Sequence, residues 1–457
     1  MGASEQHGGP IVKLHGILLF SLLLLAHCGH VHQKKIFDPI QKESKERINA
    51  KPHWRNMPNM LHATEAVTRG ITLQQAIALG LNNNPTLQAH FEDIGIAKAD
   101  LIQAGFYTNP HLESVFKMPI DNDELRTNVE ISASISLSDL WQVPLRKRVA
   151  QDNLEVKTYE IITEILQLRK EIQLKYIACI HNQEMLRITE EIANTLEALK
   201  DRIEYHYQFG YATDLDKYSA ASKLGEWRAK TVEARTLMRT AFIALHEILG
   251  SSISSQSIPL HDTIPLKPLN QPQESLKDSA LSSHPLIIIE RAKMARAKHT
   301  ISYESSRIID DVKLGVSYER DFEKGIAGVG PAFGITIPFF NTNSGNSEHA
   351  RYEYKQAEKT LYARQQMILK DITKHFLNYQ SYLDQIALYT NEVLPPIMKA
   401  IEFSKDYFDR MQLSLILFLE AHIDLFQHKL KLLELQYNAL MAYIELEFAL
   451  GAQLRNN

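Results

Sequence analysis

Nineteen histidines and two cysteines are the residues best able to do chemistry in this 457-residue chain, and their spacing builds very little. His246-Glu247 opens a zinc-protease pattern, but the second histidine four positions on is missing. No G-x-S-x-G elbow and no phosphate-binding P-loop occurs, so neither a serine nucleophile nor a nucleotide cradle is set up. His30 and His32 are close enough to touch one metal ion, yet with this many histidines close pairs are expected by chance. Cys28 and Cys179 are too few for a disulfide framework or a thiolate zinc site, and Cys179 reads as a small packing residue in a helix. The reading is of a protein that is not an enzyme and needs no cofactor and no metal. A net charge of -4 without a basic stripe argues against nucleic acid as a partner.

The remaining chemistry is positional. Residues 1–28 read as a signal peptide: Lys13 and His15 precede the apolar run Ile17 to Ala26, which is too short to cross a bilayer as a helix. Leu25-Ala26-His27-Cys28 resembles a lipobox, which makes Cys28 the lipidation candidate. His27 stands where a small residue is the rule, and ordinary signal cleavage is the alternative. Residues 29–70 read as an extended linker. No later run is long and apolar enough for a transmembrane helix, so any membrane span has to be a β-barrel.

From there the chain repeats itself. Thr72-Leu73-Gln74-Gln75-Ala76 leads to Asn84-Pro85, and Ser275-Leu276-Lys277-Asp278-Ser279 leads to His284-Pro285. Leu249-Gly250 and Leu450-Gly451 close the two halves at matching spacing. The first repeat spans 71–266, with strands near 111–118 and 127–138, a long helix 145–209 and a helix 213–250. The second spans 267–451, with strands near 311–320 and 328–339, a long helix 349–411 and a helix 416–450; 452–457 is a tail. Each long segment would reach about 100 Å at ~1.5 Å per residue. A sustained period near 3.5 from Leu369 to Met411 predicts a coiled-coil seam that passes through Pro395-Pro396 with a kink. Two apolar stripes on the last helix, one through Leu419, Phe426 and Leu433 and one through Leu435, Ala442 and Leu446, predict a stave touching a neighbour on each side.

The strands alternate. Val129, Ile131, Ala133, Ile135 and Leu137 fall on one side of Asn128–Leu137, and Glu130, Ser132, Ser134 and Ser136 on the other. Val312, Leu314, Val316 and Tyr318 repeat the pattern, as do Val329, Phe333, Ile335, Ile337 and Phe339. Each strand is long enough to cross hydrocarbon at a tilt. Four strands cannot close a barrel, and lipid does not tolerate an open edge, so a membrane setting demands several copies of the chain. A soluble sheet with one wet face is the alternative.

Signal peptide, duplication, paired strands and long helices together resemble the TolC-like outer-membrane efflux family over about Ile71 to Gly451. The motifs are Leu73-Gln74-Gln75-Ala76-Ile77-Ala78-Leu79 before Asn84-Pro85, Gly334-Ile335-Thr336-Ile337-Pro338-Phe339-Phe340-Asn341, and the Leu-Gly endings. The resemblance implies a mainly α fold with a membrane β-barrel part: an internally duplicated α-barrel of long helices, four strands per subunit, and a homotrimer with a twelve-stranded barrel. It implies a passive exit duct in the outer membrane with a periplasmic helical extension. Its partners would be a periplasmic adaptor, an inner-membrane transporter of the RND type and outer-membrane lipid. Trp141-Gln142-Val143-Pro144-Leu145-Arg146-Lys147-Arg148-Val149-Ala150 looks most like members serving heavy-metal pumps. The turns Gly210–Thr213 and Gln412–Leu415 then fall at the periplasmic tip. Asp214, Asp216, Glu420, Leu417, Tyr211 and Arg410 become aperture candidates, with Glu420 matching one acidic position of the family's constriction and Leu417 departing from the other. Two other readings stay open: a periplasmic helical-hairpin adaptor or scaffold without a pore, and the duct of a type I protein secretion system. A hydrolase on a helical frame lacks a nucleophile arrangement.

Overall fold

The computed structural model describes residues 33–55, 70–118, 128–251, 258–262, 264–322, 324–409 and 415–454. Cys28, His30, His32, Arg410 and Met411 lie outside the described residues.

The segment expected to be an extended linker contains a helix. Helix α1 spans Gln33–Ile48 and buries Phe37, Ile40 and Ile48 against the first repeat. Those residues share one helical face, and the Phe37 ring meets Phe91 edge-on at 4.7 Å. Arg47 ties this helix to the far end of the chain. Its guanidinium donates to the carbonyls of Ser283 at 2.7 Å and Gly451 at 3.1 Å, and Gln453 donates its backbone N–H to the Arg47 carbonyl.

Each repeat opens on two short helices. In the first, α2 (Leu73–Asn83) starts in a capping box between Thr72 and Gln75, and α3 (Pro85–Ala104) starts on Asn84, whose side chain accepts the Leu87 N–H. In the first repeat strands β1 (His111–Lys117) and β2 (Asn128–Ser136) follow, then α4 (Asp139–Gln208) and α5 (Asp214–Ile248). The second repeat has α6 (Gln273–Ser283), α7 (Pro285–Ser306), β3 (Val312–Asp321), β4 (Ile326–Ile335), α8 (Ser344–Leu388), a π-helical segment Tyr389–Val393, α9 (Leu394–Asp409) and α10 (Leu415–Leu450).

The sequence anchors of the duplication meet in space. Gly250 and Gly451 both adopt left-handed backbone, at φ 64° and 68°. A Cβ on Gly250 would sit 2.6 Å from the Asn83 carbonyl oxygen, and one on Gly451 would sit 2.8 Å from the Pro285 ring. Each Leu-Gly ending therefore packs on the corner before its own repeat's Pro helix, a close approach that only glycine permits.

The long helices form a wall. Near the sheet the order across it is α3, α4, α7, α8; away from the sheet it is α5, α4, α10, α9. Ile188, Ile192, Leu196, Leu224, Trp227, Leu419 and Phe426 pack at the α4–α5–α10 contact. Cys179 is buried among apolar neighbours in the first-repeat core. Arg169 on α4 and Glu447 on α10 make a buried 2.9 Å ion pair that joins the repeats.

The second long helix continues past Pro395-Pro396 as expected, and its distortion there is the π turn Tyr389–Val393 just before them. Each proline lacks an N–H and crowds the carbonyl four residues back, and a wider turn absorbs both faults without ending the helix. Strand β4 stops at Ile335, short of Phe339. Its partner strand begins at Val312, one further rung joins the Thr336 N–H to the Asp311 carbonyl, and Pro338 cannot donate.

Candidate functional site

The sheet has order β1-β2-β3-β4, antiparallel throughout. Its register stacks like with like. Leu112 pairs with Ala133, Ala133 with Val316, and Val316 with Pro331. Phe116 pairs with Val129, Ile131 with Tyr318, and Tyr318 with Val329. With a period of two, all these side chains share one face. That face is uncovered: Leu112, Phe333 and Val329 are 72%, 67% and 75% exposed. A contiguous apolar face of four strands far exceeds the scattered apolar surface of a soluble protein.

The opposite face carries Glu113, Glu130, Ser132, Ser134, Ser317 and Glu319. Glu130 and Glu319 stand directly opposite each other, a pairing that costs stability unless water or a counter-ion screens it. At the foot of this face a polar cleft of about 430 Å³ is lined by Ser134, Ser136, Gln142, Arg146, Arg307 and Lys313 among others. Arg146 is fixed there by the carbonyls of Ala104 (3.0 Å) and Phe106 (2.7 Å).

Both outer strands, β1 and β4, end the sheet with one unpaired side each. The helical wall ends on the same two sides: α3 and α5 continue the β1 side, and α8 and α9 the β4 side. The molecule is a wall of helices and strands whose sheet is apolar on one face and polar on the other, with two open lateral edges.

At the other end lie most of the residues singled out as aperture candidates. Thr213 caps α5, and the Asp216 carboxylate accepts from the Thr213 N–H at 2.9 Å and hydroxyl at 2.7 Å, so this acid is engaged in a capping box. Asp214, the first residue of α5, accepts from the Tyr207 phenol, and that bond pushes the phenol above its ordinary pKa. Tyr211 is exposed, its N–H bonded to the His206 carbonyl, and its ring lies edge-on to His206. Leu417 and Glu420, one helical turn apart on α10, are both exposed, while Phe418 and Leu419 between them are buried in the wall. Arg410 lies outside the described residues. Among the described residues no cluster of three or more His, Cys, Asp or Glu side chains is arranged to hold a metal ion, and no helix is long and apolar enough to cross a membrane. Sequence reading missed the Arg169–Glu447 pair, the Arg47 anchor and the exposed basic pair Lys147–Arg148. Only the last had a visible signal, a Trp followed by a short basic run.

The family model described as outer membrane efflux protein matches residues 276–452. No curated protein sequence matches the chain. The fold is similar to that of CusC, whose solved structure is described in terms of folding and transmembrane channel formation (TM-score 0.71, 18% identity, covering 85% of this chain and 94% of that one). It is also similar to the Campylobacter jejuni CmeC outer membrane channel (0.69, 15%, 83% and 85%). The open state of the Neisseria gonorrhoeae MtrE outer membrane channel gives 0.70 at 15% identity, with 85% and 90% covered. The family match covers the second repeat, and the chain has the fold of these solved outer-membrane channels.

Proposed function

We propose that the chain is one subunit of a homotrimeric duct. Its sheet supplies four staves of a twelve-stranded barrel in the outer membrane, and its helices line a tunnel through the periplasm. One observation carries this reading: the sheet exposes a continuous apolar face and leaves both edges unpaired. In hydrocarbon an unpaired strand edge costs several kcal/mol per group, on the order of 2–7 by transfer scales, and sister copies remove that cost by pairing β1 of one with β4 of the next. The aqueous face with Glu130, Ser132 and Ser134 then lines the lumen.

Such a duct does no bond chemistry. It keeps a wet path open, while an inner-membrane pump of the RND type, coupled through a periplasmic adaptor, supplies the work and selects the cargo, metal ions or drugs. At the tip, Leu417 and Glu420 are free of the wall, and three copies of Glu420 around one axis would form an acidic ring that draws cations and repels anions. Replacing Glu420 with Gln should lower cation selectivity or block in planar bilayers; unaltered currents would remove it from the aperture. Deleting the gene and screening metal and drug sensitivity tests the efflux role. A periplasmic scaffold without a pore would instead stay in the soluble fraction, and a type I secretion duct would leave metal and drug tolerance unchanged.

A further inference from the structure

The outer surface of α4 just beyond the sheet carries an arrangement that the duct itself does not need. Leu140, Trp141, Pro144, Lys147 and Arg148 are all exposed or half-buried at the surface and share one side of the helix. Gln142 and Arg146 face the polar cleft together with His111 and Lys313 of the sheet's wet side. Pro144 and Arg148 each lie two residues beyond one of these, about 200° around the helix. The exposed set therefore points to the side on which the sheet shows its apolar face. Trp141 donates its indole N–H to the Ser306 carbonyl at 3.4 Å, which holds the ring at the helix surface. Phe106 and Tyr107, at the end of α3 on the other flank of α4, are exposed as well. The Lys147 stem lies 3.7 Å from where a Gly105 Cβ would stand, which places it over that same helix end.

Along the helix axis the order is apolar sheet, then Leu140 and Trp141, then Lys147 and Arg148 about 10 Å further on at ~1.5 Å per residue. Aromatic rings at a membrane boundary with cationic side chains just beyond them match the depth profile of a bilayer, from acyl chain to interface to phosphate. Among the described residues neither Lys147 nor Arg148 makes an ion pair. The second repeat lacks the feature: the equivalent turn of α8 carries Glu348 and His349, with Arg351 paired to Glu348 at 2.8 Å. The pair is therefore not a requirement of the repeat fold.

We infer that Lys147 and Arg148 bind the phosphate of an anionic phospholipid in the leaflet next to the helical wall, with Leu140 and Trp141 seated at its acyl boundary. This rests on the reading that the sheet lies in a membrane. Arg148 suits a phosphate because its planar fork can donate two bonds at once, and Lys147 adds a point charge.

The test uses the whole oligomer reconstituted in phosphatidylcholine vesicles with and without phosphatidylglycerol. Native mass spectrometry of the extracted protein reads the retained lipid. The wild type should retain phosphatidylglycerol over phosphatidylcholine, and the double variant Lys147→Gln/Arg148→Gln should lose that preference. About fivefold per side chain is expected, the equivalent of ~1 kcal/mol each near a charged surface. A control variant, Lys355→Gln/Lys359→Gln on α8, should keep it. If the protein inserts but shows no preference, or a preference that the double variant keeps, the headgroup site is wrong and the barrel reading stands. If it does not insert at all, both fall.

Discussion

Replacing His284 with asparagine should remove a block of acid sensitivity from the joint where α7, α10 and α1 meet. His284 caps α7: its Nδ1 accepts the Leu286 N–H at 3.1 Å, which requires that nitrogen to be unprotonated. Burial pushes its pKa down to about 4; a hydrogen bond with the Phe448 backbone opposes this, and the guanidiniums of Arg47 from α1 and Arg364 from α8 add to it. The other charged groups near this joint are Glu290 and Lys293, 3.3 Å apart on α7, with Arg364 4.0 Å from Glu290. The folded value lies below the ordinary ~6.5, so the closed joint excludes a proton that the opened joint takes up. Stability is full above the ordinary value, falls by ~1.4 kcal/mol per pH unit below it, and has lost about 3 kcal/mol when pH reaches the folded value. At two units below the ordinary value the opening equilibrium should have risen about 100-fold. In the His284→Asn variant the new side-chain oxygen would accept an N–H of the same first turn, as Asn84 accepts the Leu87 N–H at the matching corner of the first repeat, and it has no proton to gain. Losing the bond with Phe448 would cost about 1 kcal/mol at every pH. Hydrogen exchange of the α7 first turn, corrected for the intrinsic pH dependence, reads this directly. The wild type should lose protection between neutral pH and about two units below the ordinary histidine value, and the variant should not. An equal slope in both proteins would refute the assignment of the effect to His284.

Other outcomes follow from the same contacts. Arg169→Ala leaves Glu447 buried without its partner and should destabilise the chain by about 3–5 kcal/mol, whereas Arg169→Met with Glu447→Leu should recover most of that; thermal unfolding in detergent measures both. Gly315→Val places a Cβ against the Ala133 carbonyl oxygen in the middle of the sheet, so the proposed trimer should fail to assemble, read as a loss of trimer mass in detergent. Pro395→Ala with Pro396→Ala restores two backbone donors beside the π turn, and amide exchange over residues 389–399 should slow; unchanged exchange would show that the prolines do not cause the widened turn.

Much of the architecture was legible because it depends on periodicity. Alternation in Asn128–Ser136 and in the two later strands survives any choice of partner, since one face must be apolar whatever strand lies alongside. The Asn-Pro and Leu-Gly anchors were visible as matched spacing, and their cause became clear only when Gly250 was seen to touch Asn83 and Gly451 to touch Pro285. Helix α1 was missed because Pro39 and a run of charges hide a face of only a few apolar residues, and because its stability comes from Phe91 and the chain's end, not from local propensity. Arg47 and Arg169 look like ordinary surface helix charges in sequence; what distinguishes them is a partner hundreds of residues away. At the tip, Thr213 followed three residues later by Asp216 was a readable capping signal, and the structure gives that carboxylate a bond that Glu420 has no local motif to make.

A duct of this kind requires sister chains to pair at the open strand edges. Native mass measurement of the mature protein extracted in detergent, followed by planar-bilayer recording of the same sample, tests this most directly. The expected result is a particle three times the chain mass that conducts ions. A monomer that stays in solution without detergent and forms no pores would contradict it.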